Sequence, residues 1–302
     1  MLTPKTLAVW LAVFAGAAGV KAADVGAPIS VVVTVEGQKD SAPGNFTRDD
    51  VMVFLDKERM RVTDWSPILS DKKGLQLWLL IDDGTDTSVA TQFEDLRKFA
   101  LEQSPMTEIG VGYIRNGSVQ RAQALTTDHA LAAQAIRLPI AQPGISASPY
   151  LALVDDLIKK WPHGEQAREI VMVTSGVDPD NGPGAINPYL DQAIDAAQRA
   201  GVVVHAIYYA SAGHLGHSQW QIYWGQNYLS RLAEETGGEF FWQGDTNPVS
   251  FRAYLNELSE HFGNQYLLTF LAQGKSGFRR LKLSTEVPHV SLVGPSKVYV
   301  GK

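Results

Sequence analysis

The chain has 302 residues, with 26 Lys+Arg against 32 Asp+Glu and no cysteine. At 45% hydrophobic residues it holds enough apolar surface for a sizeable globular core, and its composition excludes a disordered chain, a collagen and a disulfide scaffold. The net charge of −6 argues against a nucleic-acid partner, which needs a basic face. The absence of cysteine removes iron–sulfur clusters, thiolate zinc sites and thiol nucleophiles.

In chain order, residues 1–22 read as an export signal. Lys5 supplies the positive end, residues 7–20 form an apolar run, and Val20-Lys21-Ala22 offers small residues for cleavage. The run is shorter than the ~20 residues of a membrane span; the alternative is an uncleaved N-terminal anchor. Cleavage would remove Lys5 and Lys21 and take the net charge from −6 to −8. We therefore expect an exported protein, periplasmic or secreted, with no transmembrane span in the mature chain. Residues 23–70 read as β structure. A β-branched run over 29–35 precedes a hairpin whose strands, 51–55 and 61–65, flank the turn Asp56-Lys57-Glu58.

Over residues 71–263 strands and helices alternate. Strands are expected at 75–81, 109–114, 119–125 (an edge hairpin with the strand before it), 170–174, 202–209 and 239–242. Helices are expected at 91–103, 129–136, 150–161, 188–200, 227–236 and 250–262, the fourth stopped by Gly201. This grammar specifies an α/β fold, a mostly parallel sheet with helices on both faces, whose ligands collect at the carboxyl ends of the strands. Residues 264–302 return to β, with strands at 266–271, 280–285 and 296–300. We expect them to pair with residues 23–70 as a small β-sandwich.

The loop Asp82-Asp83-Gly84-Thr85-Asp86-Thr87-Ser88 follows a buried strand and precedes a helix. Its carboxylates and hydroxyls suit a hard cation such as Mg²⁺, or simply a polar turn that caps the helix. A second cluster, His214, His217, Trp220, Tyr223 and Trp224, is expected in the loop after strand 202–209. His-x-x-His lacks convincing further zinc ligands; the rings either pack over the sheet end or, if exposed, form a recognition patch. His205, within a strand, reads as a core histidine with its hydrogen bonds satisfied, and Glu257 with His261 as a surface pair. There is no Gly-x-Ser-x-Gly elbow, no His-Glu-x-x-His and no phosphate loop, so we do not expect an enzyme.

The chain resembles a von Willebrand factor A (VWFA) domain protein of the VWFA-related, acidobacterial type. The resemblance rests on Leu79-Leu80-Ile81-Asp82-Asp83, Ser148-Pro149-Tyr150, Val173-Thr174-Ser175-Gly176-Val177-Asp178, Gly201-Val202-Val203-Val204, Trp224-Gly225-Gln226-Asn227-Tyr228-Leu229, Glu235-Thr236-Gly237-Gly238-Glu239 and residues 264–270. It implies a Rossmann-like fold and a cation site built from an Asp-x-Ser-x-Ser loop, a Thr from a second loop and an Asp from a third. Such a site holds Mg²⁺ or Mn²⁺ with one position open to an acidic residue of a protein partner. With Asp82 leading, the serine positions hold Gly84 and Asp86; with Asp83 leading, they hold Thr85 and Thr87. Ser148 lies in the second loop, and Ser175 stands where the third loop's Asp is expected. The reading is an exported protein-binding module with a degenerate cation site, assisted by Trp220, Tyr223 and Trp224. The alternatives are a metal-dependent hydrolase on the same face and a ligand-free structural part of an envelope complex.

Overall fold

The computed structural model describes residues 26–37, 46–71, 73–85, 87–140, 148–162, 164–210, 218–244 and 246–301. The segment read as an export signal lies outside these. The chain opens with β1 (Ala27–Gly37), β2 (Met52–Leu55) and β3 (Glu58–Pro67). The alternating part runs β4 (Leu75–Asp82), α1 (Ala90–Leu101), β5 (Thr107–Arg115), β6 (Ser118–Thr126), α2 (His129–Ala135) and α3 (Pro149–Ala152). It continues with β7 (Ala167–Thr174), α4 (Pro188–Ala200), β8 (Val202–Tyr208), α5 (Gln219–Thr236), β9 (Phe240–Phe241) and α6 (Arg252–Gly263). Last come β10 (Gln265–Ala272), β11 (Gly277–Ser284), β12 (Val290–Val293) and β13 (Lys297–Val300).

The six-stranded sheet has the order β6-β5-β4-β7-β8-β9. Counted within the sheet this is 3-2-1-4-5-6, the doubly wound order, and its switch point lies between β4 and β7. Five strands are parallel; β6 pairs antiparallel with β5 at the edge, so the sheet is mixed. Strand alternation divides the core in two. Leu75, Leu77, Leu79 and Ile81 of β4 face the layer holding Phe93, Leu96, Ala132, Leu255 and Phe262 of α1, α2 and α6. Trp78 and Leu80 face the layer holding Leu153, Leu157, Leu190, Ile194, Tyr228 and Leu232. With both faces covered, β7 and β8 are buried along their whole length, and most of their residues are apolar, including the runs Ile170–Val173 and Val202–Val204.

The expected small β-sandwich is instead one seven-stranded antiparallel sheet, in the order β12-β1-β10-β3-β2-β11-β13. Its strands come from both ends of the chain, with β1 pairing to β10 from Ala27↔Ala272 to Thr34↔Gln265. Val31, Val33 and Val35 share one cluster with Val53, Leu268, Phe270, Val298 and Val300, and both edge strands contribute to it, so the sheet curls into a half-barrel. A curled sheet buries one face against itself and needs no second layer. On the other side Val32, Ile68 and Leu267 enter the α/β core beside Phe262. No helix among the described residues is long and apolar enough to cross a membrane.

Candidate functional site

At the switch point β4 ends in Asp82 and β7 in Thr174. The Thr174 hydroxyl donates to Asp82 Oδ2 at 2.8 Å, and the Gly84 N–H donates to Asp82 Oδ1 at 2.9 Å. The loop closes as a turn, with the Thr85 N–H and hydroxyl both donating to the Asp82 carbonyl at 3.0 and 2.6 Å. Burial pushes the Asp82 carboxyl above its ordinary value, the two hydrogen bonds pull it down, and the charge of Asp83 adds to the rise.

Asp83 points the other way. It is 2% exposed and takes a bidentate pair from Arg137, Nη1 to Oδ1 at 2.7 Å and Nη2 to Oδ2 at 3.0 Å. The Ile140 N–H donates to Oδ1 as well, at 3.0 Å. Arg137 in turn lies 3.8 Å over the Tyr113 ring. Its guanidinium is held above its usual value first by the hydrogen bonds to Asp83. Asp83 is therefore a buried ion-pair partner, and Asp82 alone leads the loop at the sheet edge. In that register Gly84 brings no side-chain oxygen; Asp86 and the Thr87 side chain lie outside the described residues.

The other two loops meet each other. The fully buried Ser148 donates its hydroxyl to Asp178 Oδ2 at 2.9 Å, and its N–H donates to Asp180 Oδ2 at 2.7 Å. Asn187 Nδ2 also donates to Asp178 Oδ2, at 3.0 Å, while Asn187 Oδ1 caps α4 by accepting from the N–H groups of Tyr189 and Leu190. Ser175 is 4% exposed, and the Val177 N–H donates to its hydroxyl at 3.4 Å. The described donors do not fit the three-part cation site that the resemblance implies. Beside the Asp82 carboxylate, already accepting two protein hydrogen bonds, they place hydroxyls at Thr174 and Ser175, while the carboxylates of Asp178 and Asp180 are engaged by Ser148. Ser148 is turned to Asp178, Thr85 to the backbone and Asp83 to Arg137. Arg137, Thr174 and Asn187 carry much of this geometry and were not singled out from sequence; only the N-cap position of Asn187 ahead of Pro188 was a signal there.

The aromatic group lies beside this edge on a helix, not in the loop expected from sequence. α5 starts at Gln219 behind the capping box of Ser218 and Gln221, so Trp220, Tyr223 and Trp224 stand on its first two turns. Trp220 and Tyr223 are 56% and 53% exposed and stack with ring centroids 6.0 Å apart. Trp224 packs edge-on against both rings and meets Tyr228 inward at a tilt, and Tyr228 meets Tyr150 in the core. Tyr228 ties this stack to the third loop, its hydroxyl donating to the Gly184 carbonyl at 2.6 Å. The helix reaches the Ser175 backbone at Gly225, where an added Cβ would lie 2.5 Å from the Ser175 carbonyl oxygen. His214 and His217 lie outside the described residues. His205 is 1% exposed; its Nε2 contacts Glu169 Oε2 at 2.7 Å and its Nδ1 accepts the Glu239 N–H at 3.0 Å.

No family model and no curated protein sequence matches the chain. Solved structures do. An aerotolerance-related membrane protein from Bacteroides fragilis is 12% identical with a TM-score of 0.46, covering 63% of this chain and 98% of that one. BatB from Bacteroides thetaiotaomicron is 13% identical with a TM-score of 0.45, covering 62% and 97%. Proximal thread matrix protein 1 from the mussel byssus, with a zinc-occupied MIDAS motif, is 11% identical with a TM-score of 0.43, covering 68% and 48%. With strand order 3-2-1-4-5-6, helices on both faces and Asp82 at the switch point, the α/β body of this chain has a doubly wound, Rossmann-like fold.

Proposed function

We propose that the chain is an exported protein-recognition module. It binds a protein partner at the carboxyl edge of the six-stranded sheet, without turnover and without a resident Mg²⁺ or Mn²⁺ ion. The observation that carries this reading is the exposed ring pair Trp220 and Tyr223, held on a packed helix whose Gly225 abuts the Ser175 backbone. Large rings with few torsions lose little entropy on binding and anchor interfaces. Trp224 and Tyr228 fix them from below, so the patch is presented rigidly. The Asp82 carboxylate already accepts two protein hydrogen bonds and lies next to a glycine, which favours recognition by loops and rings over capture of a partner's carboxylate by a cation.

The test is retention of a partner from the host's envelope extract on the immobilised protein, in EDTA and in Mg²⁺. Retention should be equal in both, be lost in the doubly substituted Trp220→Ala, Tyr223→Ala protein, and survive Asp82→Asn. Retention that needs Mg²⁺ and disappears with Asp82→Asn would move recognition to a cation. Retention indifferent to both sets of substitutions would favour the structural role, and hydrolysis of ester, peptide or phosphate substrates abolished by Asp82→Ala would make the protein an enzyme.

A further inference from the structure

At the start of β9, the edge strand of the six-stranded sheet, three ligand-bearing side chains from distant parts of the chain come together. Glu36 stands near the end of β1, Glu239 directly before β9, and His261 in the last turn of α6. One ligand atom from each lies within 4.8 Å of the other two, and all three residues are partly buried. His261 Nδ1 and Glu239 Oε1 are 4.0 Å apart.

The surroundings favour a cation there. Glu36 and Glu239 bring two carboxylates together, and burial and the charge of Glu36 both push the Glu239 carboxyl above its usual value while His261 pulls it down. The other charges acting on Glu239 are His205 and Glu257. His261 sits at the carbonyl end of its helix, where the dipole adds negative potential. The backbone of Glu239 is fixed from behind: its N–H donates to Nδ1 of the buried His205, whose Nε2 faces Glu169. Ser291 on the neighbouring strand donates to Glu36 Oε2 at 3.3 Å. These are supports that orient ligands from outside the coordination shell.

We propose that Glu36, Glu239 and His261 form a Zn²⁺ site, with one imidazole nitrogen and two carboxylate oxygens as ligands and the fourth position left to water. Zinc bonds of about 2.0–2.2 Å in a tetrahedron put ligand atoms roughly 3.3 Å apart. The three ligand atoms, now within 4.8 Å of one another, would have to draw together by up to roughly 1.5 Å to reach that spacing. The imidazole favours Zn²⁺ over Mg²⁺, which prefers oxygen and keeps its waters. A bound ion would join β1 of the half-barrel to α6 and β9 of the α/β body. This proposal does not depend on recognition at the Asp82 edge.

The experiment is calorimetric titration of ZnCl₂ and MgCl₂ into the EDTA-stripped, tag-free full chain, with parallel melting curves. One Zn²⁺ per chain is expected, Mg²⁺ at equal concentration should not compete, and a hundredfold excess over the Kd should raise the melting midpoint by about 5 °C. Glu239→Gln and His261→Asn should each weaken Zn²⁺ binding tenfold or more, with Glu36→Gln as a third variant should either melt abnormally in EDTA. Asp82→Asn and the doubly substituted His214→Ala, His217→Ala protein should bind as the parent does. Absence of saturable binding would overturn the site. So would binding that survives His261→Asn and Glu239→Gln but fails in Asp82→Asn or in the double histidine variant.

Discussion

Asp82 and Asp83 are neighbours with opposite fates, and the pleat of β4 is the reason. Successive strand side chains face opposite sides: Leu80 lies on the α4 and α5 side, while Ile81 lies on the side lined by Tyr113 and α2. Continuing that alternation sends Asp82 to Thr174 and Asp83 to Arg137. Arg137→Ala should therefore cost about 2–3 kcal/mol, by stranding a carboxylate that is 2% exposed, with the exposed half of Arg137 limiting the loss. Adding Asp83→Asn to it should recover part of this in a denaturant double-mutant cycle; a cycle with no coupling would show that the pair is not structural. Asp82 gives a pH signature. Its folded-state value is raised above the ordinary 3.8 by burial, so the folded chain holds the extra proton between that value and the raised one. Stability from this group is greatest at the acidic end of that window and falls as pH rises through it. Asp82→Asn should flatten that fall and raise the melting midpoint in EDTA at pH 7.5; a lower midpoint would mean the ionised carboxylate is worth more to the fold than its desolvation costs. The two loop registers stay open in the sequence because the Asp83 register keeps hydroxyls in both serine positions, while the Asp82 register sets its carboxylate directly after the hydrophobic strand. The guanidinium that decides between them lies 54 residues away, in a segment with no motif.

Elements with punctuation at both ends were legible. α4 starts at Pro188 behind the cap Asn187 and stops at Gly201, whose φ of 64° places it in the left-handed region glycine favours. α5 was read eight residues short because its first two turns do not show the core-facing stripe. Its exposed rings, Trp220 and Tyr223, precede the buried series Gly225, Tyr228, Leu229, Leu232 and Ala233. The Ser218-x-x-Gln221 capping box was the signal that marks its true start. β12 was missed because its four residues are all half-buried and carry no alternation. Gly225 tests how the helix meets the site. Gly→Ala in a helix normally gains about 1 kcal/mol. Here the new Cβ would sit 2.5 Å from the Ser175 carbonyl oxygen, and backbone cannot swing aside as a flexible side chain can. Overpacking of about 1–3 kcal/mol should win, so Gly225→Ala lowers stability in urea and weakens partner retention. A gain in stability would show that α5 does not bear on the Thr174–Val177 segment.

At the scale of the molecule the half-barrel cannot be assembled from either end of the chain alone. β10 lies between β1 and β3, and β11 lies between β2 and β13, so N-terminal and C-terminal strands interleave. This much was foreshadowed by β-branched runs at both ends around an alternating middle. The curl into one sheet was not, because strand patterns report which face is buried and not what covers it. The half-barrel is also joined to the α/β body through Val32, Ile68 and Leu267 in a shared core. Residues 264–302 supply Leu268, Phe270, Ala272, Leu281, Val298 and Val300 to the inner cluster. At roughly 1.5–3 kcal/mol for each large side chain, their loss removes on the order of 10 kcal/mol, comparable to the whole ~5–15 kcal/mol stability of a domain. Truncation after Gly263 should therefore abolish cooperative unfolding of what remains, since it also leaves β1 and β3 unpaired along the edges they share with β10. The full chain should melt in one calorimetric transition, with every spectroscopic probe coincident. A truncated chain that still melts sharply, within a few degrees of the parent, would show that the α/β body is autonomous and the half-barrel an appendage.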